Sequence, residues 1–333
     1  EKRKKDLGMK GAFKLKFDGK ELSPDMSNKV ISVSAVDESK KKGDTLEIIF
    51  DDREEDLEIP DHGDKVELYL GYEGNITKIG SYIVDEAKVK GPPFKMTVSG
   101  KGFDAGSKIT TRKTRNFKSD NAAKILEQIA KENGLEAKIS DFFKEAKVSR
   151  EFSQCKESDL HYGSRLTDSL GGTMKINDGK LIATKEGAGK DYSGVKLEAI
   201  EISRKDIIDI EYGKSKRQSY KSAICRVRNL GTGETKKVEV GSGSPVLNIP
   251  EIFPSEEIAV KTARARLNQG GFSSQTISIR VRGDARLSAE RPIKLSGFRR
   301  GMDGDWIVGK AEHSYSPGDG YRTGVELKKA GLE

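Results

Sequence analysis

The chain has 333 residues, too many for one small core, and on size alone should divide into several compact units. Hydrophobic residues make up 34%, aromatic residues 7% and charged residues 34%, a lean mixture suited to thin β-layers, yet the apolar residues recur in periodic runs that exclude a disordered chain. The formal charge of +8 comes from 61 basic residues interspersed with 53 acidic ones, which argues against a nucleic-acid binder with one basic face.

The first hundred residues predict strands. Phe13, Leu15 and Phe17 alternate with Lys14 and Lys16 and run into the tight-turn pair Asp18-Gly19. Val30–Val33 opens the next strand, and Leu46, Ile48 and Phe50 follow the polar loop DESKKKGD. Val66–Leu70 alternates cleanly after DHGD, then Tyr82–Val84 and Phe94–Val98 flank Gly91-Pro92-Pro93. Strands at this spacing predict a sandwich or barrel.

The period then changes. In SDNAAKILEQIAKENG, Ala122, Ile125, Leu126 and Ile129 share one helical face, with Ser119 or Asp120 expected as the cap and Gly134 as the stop. SDLHYGSRLTDSLGG predicts a second helix capped by Ser158, buried along Leu160, Gly163, Leu166 and Leu170, and ended by Gly171-Gly172. MKINDGKLIATKEG reads as a hairpin across Asn177-Asp178-Gly179. Strands return at Ile207–Tyr212, Ser219–Val227 and Lys236–Val240. The loop Gly241–Pro245 lacks the glycine spacing and the Lys-Ser/Thr of a phosphate-binding loop. A further helix is expected in SEEIAVKTARARLNQGG, with Glu256 and Glu257 at its positive end and Arg264 and Arg266 near its negative end. The rest is β again. The expected fold is α+β, mainly β: two similar antiparallel β-barrel domains (1–106, and 191–227 with 273–333), a small α+β domain (107–190) and an insertion domain with one helix (228–272).

The C-terminal β-region repeats the first. KVELYLGY, SYIVDEAKV and FKMTVSG are answered in order by PIKLSGF, DWIVGKAEH and TGVELKK. Tyr82-Ile83-Val84 matches Trp306-Ile307-Val308, Ala87 matches Ala311, and Gly71-Tyr72 and Gly297-Phe298 each close a first strand. A chain with two near-equivalent halves can, as a trimer, offer pseudo-sixfold symmetry to a six-fold partner.

Residues that could carry chemistry are sparse. Cys155 and Cys225 have no CxxC or Cys/His spacing, which argues against a structural zinc site and a disulfide scaffold and fits a reducing compartment. The opening stretch EKRKKDLGMKGAF is charged and precedes no apolar run, so no signal peptide is expected there, and no apolar run approaches the roughly 20 residues of a membrane span. The sequon Asn75-Ile76-Thr77 and the tripeptide Arg282-Gly283-Asp284 are short enough to arise by chance. His62, His161 and His313 lack a second His or a Cys at ligand spacing, and no GxSxG elbow is present. The paired acids Asp51-Asp52 and Glu54-Glu55, candidates for a two-carboxylate cell-wall hydrolase, sit in charged runs that read as solvated turns. The basic stretches Lys2–Lys5, Lys40–Lys42 and Arg112–Lys118 raise DNA binding as a third class, with Phe117 as the one aromatic available for stacking. The densest local run, KITTRKTRNFK, reads as a solvated linker or as a contact for an anionic surface. No catalytic, cofactor-binding or metal-binding residue is assigned.

Several segments, in order, resemble the phage late-control D protein family, the baseplate hub of contractile tails and a relative of the hub half of type VI VgrG spike proteins. They are DDREEDLEIPDHGDKVELYLGY, GSYIVDEAKVKGPP, VSGKGFDAGSKITTRKTRNF, NAAKILEQIAKENGLEAKIS, SQCKESDLHYGSRLTDSLGGTMKINDGKLI and, most specifically, PIKLSGF, DWIVGKAEHSY and GYRTGVEL. The resemblance implies a homotrimer whose barrel domains form a pseudo-hexameric ring continuing the tail tube. It implies a central spike, the tube or a tube-initiator protein and other baseplate proteins as partners. The setting would be the tail baseplate of a phage or phage-tail-like particle assembled in the host cytoplasm. No enzymatic activity, cofactor, specific nucleic acid or membrane insertion follows from it. The short, moderately charged stretch between Gly231 and Pro250 departs from some members.

Overall fold

A computed structural model describes residues 10–39, 43–103, 108–148, 153–189, 195–214, 220–228, 233–253, 256, 259–260, 262–264, 266–267 and 275–329. Strands dominate. The first β-region holds β1 (Gly11–Phe17), β2 (Lys20–Glu21), a short helix α1 (Pro24–Asn28), β3 (Val30–Glu38), β4 (Thr45–Asp51), β5 (Lys65–Tyr72), β6 (Asn75–Lys90) and β7 (Lys95–Lys101). Period-2 alternation explains them: Val66, Leu68 and Leu70 all face inward and are fully buried. Asp18 (φ 45°) and Gly19 (φ 80°) occupy the left-handed region that a tight hairpin turn requires.

The middle unit contains β8 (Arg112–Arg115), α2 (Ala122–Glu132), β9 (Glu136–Ile139), β10 (Gln154–Ser158), α3 (Asp159–Ser169), β11 (Gly172–Asn177) and β12 (Lys180–Lys185). Its core joins Ile125, Leu126 and Ile129 of α2 to Leu160 and Leu166 of α3 and to Met174 and Leu181 of the hairpin. The cap of α2 is Asn121, whose Oδ1 accepts from Lys124 N–H at 3.1 Å; Ser119 lies ahead of the cap position and instead accepts from Asn121 N–H. Ser158 caps α3 as expected, accepting from His161 N–H at 3.2 Å.

The second β-region holds β13 (Ile200–Ser203) and β14 (Ile207–Lys214). It resumes with β18 (Gln275–Arg282), β19 (Pro292–Ser296), β20 (Gly304–Ser316) and β21 (Gly320–Lys329). Between them lie β15 (Ser222–Arg228), β16 (Thr235–Gly241) and β17 (Val246–Phe253). β15 was expected as a strand of the second barrel. Its hydrogen bonds instead run to β16 and β17, so it is the central strand of the inserted unit. Ala259 and Ala263, on helical backbone, pack on Cys225, Val238 and Phe253 of that sheet. Glu256, Arg264 and Arg266 are also helical, whereas Glu257 lies outside the described residues.

The two β-regions share one strand plan. The first runs β3-β4-β7-β6-β5-β1 and the second β14-β18-β21-β20-β19-β13. The registers can be matched residue by residue. Val84 faces Gly100, Gly100 faces Leu46 and Leu46 faces Ala35; Val308 faces Leu327, Leu327 faces Ile277 and Ile277 faces Tyr212. Even the interruptions coincide. The β6–β7 ladder skips Asp85 as the β20–β21 ladder skips Gly309, and the β3–β4 ladder skips Ile31 as the β14–β18 ladder skips Ile208. The outermost strand differs, since β1 pairs antiparallel with β5 while β13 pairs parallel with β19.

Two closed barrels were expected. Among the described residues the ladders do not close, and the two regions merge into one 13-stranded sheet. The reason is local: β3, at the end of the first region's own strand order, takes β20 of the second region as its other neighbour.

Candidate assembly interface

The join between the β-regions is an antiparallel ladder from Lys310↔Glu38 to Tyr315↔Val33. One face of it is fully buried. Val33, Ala35 and Ala311 have no exposed surface and His313 is 3% exposed. The His313 ring is held at both nitrogens, with Nδ1 2.9 Å from Tyr321 Oη and Nε2 2.9 Å from the Leu287 carbonyl. Burial pulls its pKa below the ordinary value, so it stays neutral and structural. His62 lies exposed in its turn, and His161 is exposed on α3 with Nδ1 2.6 Å from Glu157 Oε2.

An ion cluster fastens the middle unit onto the same join. Lys175 Nζ of β11 donates to Asp37 of β3 at 2.7 Å and reaches Asp44 at 3.5 Å. Asp37 also accepts from Ala289 N–H at 2.9 Å, and Asn177 Nδ2 donates to Asp44 at 2.5 Å. The two acids diverge. Burial opposes ionisation of both, but Lys175 and the Ala289 amide hold Asp37 below the usual carboxylate range, while burial and the neighbouring Asp37 push Asp44 up to about 7. A cavity of about 100 Å³ opens among Asp37, Asp44, Tyr82, Lys175, Asn177 and His313. A second strap joins the units where Gly187 N–H donates to Glu290 at 2.7 Å. Burial pushes Glu290 up to about 7, against the Gly187 hydrogen bond and with help from Glu186.

The basic stretch from Lys108 is not a plain linker, although Lys108, Arg112 and Lys118 remain exposed. It folds into β8, which pairs with β10. Asp159, 0% exposed at the start of α3, accepts from Lys113 Nζ at 2.6 Å and Arg115 Nη2 at 2.7 Å. Asn133 and Gln154 add side-chain N–H groups at 3.0 and 2.9 Å. Burial works against the Asp159 charge, yet the Lys113, Asn133 and Gln154 hydrogen bonds and the Arg115 charge hold its pKa below the usual value. Phe117 stacks on Tyr162 with centroids 5.0 Å apart, so it is not offered to a base. The stretches Lys2–Lys5 and Lys40–Lys42 lie outside the described residues.

The paired acids are likewise engaged locally. Asp51 binds Arg53 at 2.6 Å and Glu54 binds Lys29 at 2.9 Å. Asp52, expected in a solvated turn, is buried and accepts from Leu57 N–H at 3.3 Å, which folds the following loop back on itself. Cys155 is exposed and Cys225 buried, both as free thiols. Among the described residues no group of three or more His, Cys, Asp or Glu side chains could hold a metal ion, and no helix is long and apolar enough to cross a membrane.

Several strand edges are open among the described residues, including the outer sides of β13, β16 and β17, and two in the large sheet carry exposed apolar side chains. β14 ends the sheet, and Ile208 within it is 51% exposed. The Glu86–Lys90 half of β6 pairs with β7 on one side only, and Val89 there is 42% exposed.

No family model matches the sequence. A protein of Escherichia phage 186 described as a "probable baseplate hub protein" is 25% identical over 362 aligned positions, covering 95% of this chain and 92% of its own length. The crystal structure of a tail protein from Neisseria meningitidis shares the fold with a TM-score of 0.70 and 14% identity, covering 96% of both chains. An Escherichia coli component of the type VI secretion system, itself described as similar to the bacteriophage T4 tail proteins gp27 and gp5, matches with a TM-score of 0.62 and 11% identity, covering 96% of this chain and 77% of that one. Over nearly its whole length the chain is thus similar to a phage protein described as a probable baseplate hub protein, and it shares the fold of a tail protein.

Proposed function

We propose that the protein is the structural hub of a contractile-tail baseplate, in a phage or phage-tail-like particle. Three copies would form a pseudo-hexameric ring that joins the tail tube to a central spike. Its work is architectural and needs no cofactor. The observation that carries this reading is the duplicated ladder, in which both halves repeat the same strand order and interrupt it at Asp85 and Gly309 and at Ile31 and Ile208. Three chains then supply six similar β-units, the number that a six-fold tube requires on one side, while the chains themselves keep the three-fold symmetry of a trimeric spike. The β-units fall within 1–106 and within 191–227 with 273–333. The middle unit (107–190) and the inserted unit (228–272, into which β15 also pairs) would lie on the ring's periphery and meet other baseplate proteins.

The test is the mass of the protein in solution, alone and with candidate spike proteins. Three chains per particle, or three chains per trimeric spike, are expected. A chain that stays monomeric and binds no spike would sink the hub reading. Clearing of cell-wall substrate, lost on changing one buried carboxylate, would replace it with a hydrolase.

A further inference from the structure

One pair of strand edges is joined within the chain, and its counterpart pair is open among the described residues. Within the chain, the outer edge of β20 meets β3. The counterpart of β20 is β6 and the counterpart of β3 is β14, as the matched registers and interruptions establish. Both of those edges are open among the described residues.

The burial of corresponding residues follows this division. At the joined pair, His313 is 3% exposed and Ala35 fully buried; at the open pair, their counterparts Val89 and Tyr212 are 42% exposed and half-buried. An edge strand that carries exposed apolar side chains and no covering element is a pairing site.

We infer that β6 of one copy pairs antiparallel with β14 of a second copy, in the register that the internal join dictates. Ala311↔Asp37 translates to Ala87↔Lys214, His313↔Ala35 to Val89↔Tyr212, and Ser314↔Ser34 to Lys90↔Glu211. The chemistry of the translated pairs fits. A β-branched residue faces an aromatic one, and a lysine faces a glutamate, both favourable cross-strand combinations. The contact is head-to-tail, because each copy offers β6 at one end and β14 at the other, so it propagates until the rotation closes a ring. That the ring closes at three copies rests on the hub reading above; the ladder itself does not.

Cysteine pairing tests the register. Directly opposite residues on antiparallel strands have Cβ atoms about 4.5–5.5 Å apart, near enough for a disulfide with small adjustment, whereas a displacement by two residues is much less favourable. In a Cys155→Ser background, which removes the exposed native thiol, Lys90→Cys with Glu211→Cys should give covalent multimers on mild oxidation of the assembled protein. Either single variant, and the displaced pair Lys88→Cys with Glu211→Cys, should give few. Because disulfide geometry can fail for local reasons, a second measurement uses charge: Lys90→Glu should weaken self-association about fivefold per contact, and adding Glu211→Lys should restore it.

Assembly into rings with neither a preferred 90–211 crosslink nor a charge-swap rescue would overturn the ladder and leave the hub reading standing. Crosslinked multimers that never settle at three copies would keep the ladder and overturn the trimer. A protein that does not self-associate, alone or with a spike, would end both.

Discussion

Asp159 gives the sharpest test of how the middle unit is held. Asp159→Asn keeps the volume of the side chain and removes its charge. The carboxylate is fully buried and accepts from Lys113, Arg115, Asn133 and Gln154 at 2.6–3.0 Å. An amide would turn one of its two acceptor atoms into a donor aimed at donors. Removing one partner of a buried ion pair costs about 3–5 kcal/mol. Lys113 and Arg115 are partly exposed and keep Glu132 as a second partner, which places this case near the lower end. About 3 kcal/mol corresponds to a hundredfold or greater rise in amide exchange governed by opening of α2 and α3, given a factor of ten per 1.4 kcal/mol. Hydrogen exchange on α2 reads this directly. The single tryptophan, Trp306, sits in the core of the second β-region, so its fluorescence transition in urea should barely move and serves as the internal control. Unchanged exchange in α2 would refute the view that Asp159 holds the basic stretch in place.

The contribution of Asp44 and Glu290 to the join should weaken as pH rises, against the opposite contributions of His313 and Asp37, whose pKa values are lowered. Asp44 and Glu290 are both raised to about 7, so between the unfolded carboxylate values near 4 and pH 7 the folded state binds more protons than the unfolded one. Stability from these groups is then complete at the acid end, falls through that window by at most about 1.4 kcal/mol per pH unit for each group, and levels off above about 7. Urea midpoints at pH 5.5, 6.5 and 8 in constant salt measure the net slope, and Asp44→Asn should make it less negative; a slope that this change leaves unaltered would contradict the assignment. The two glycines of the repeat should respond differently to alanine. At Gly71 a Cβ would lie 2.2 Å from the Asn75 carbonyl oxygen, a backbone atom that cannot move aside, and Gly71→Ala should cost about 1–3 kcal/mol. Gly297 has open space but a φ of +82°, so Gly297→Ala meets only the backbone strain of about 1–2 kcal/mol. Thermal unfolding of the two variants, side by side, checks the order.

The strands and both predicted helices of the middle unit were legible because each follows a local period. Burial of Leu15, Leu46, Ile48 and Phe50 is written in their alternation, and the turns at Asp18-Gly19 and Asp178-Gly179 in their composition. The repeat was legible at the Tyr82 and Trp306 strands for the same reason. What was not legible depends on partners far apart in the chain. Nothing near Lys113 announces Asp159, and nothing near Lys175 announces Asp37, because such contacts form only once separate elements have packed. Asp52 was misread for a related reason: it lies in a run of exposed charges, and only the folded loop shows that its carboxylate turns inward to Leu57 N–H. The merging of two expected barrels into one sheet belongs to the same class, since edge pairing between β3 and β20 leaves no periodic trace in either strand.

The two joins, one inside the chain and one proposed between chains, need not be alike in chemistry even though they are alike in register. The internal join forms once, during folding, and its partners share a chain, so close pairing carries no association penalty. It can therefore be built from buried groups, Ala35, Ala311 and the His313–Tyr321 pair, that would be hazardous on an open surface. An edge that must remain soluble until assembly carries lysines and a glutamate around a few apolar side chains, which is the composition of β6 from Glu86 to Lys90 and of β14 around Glu211. Identical halves would pair indiscriminately, internal edge with external edge, and propagate open chains. Divergence at Val89 against His313, and at Tyr212 against Ala35, separates the two reactions while the shared bulges keep their geometry equivalent. A ring of six similar units built from three chains requires that combination of matched backbone and unmatched edges.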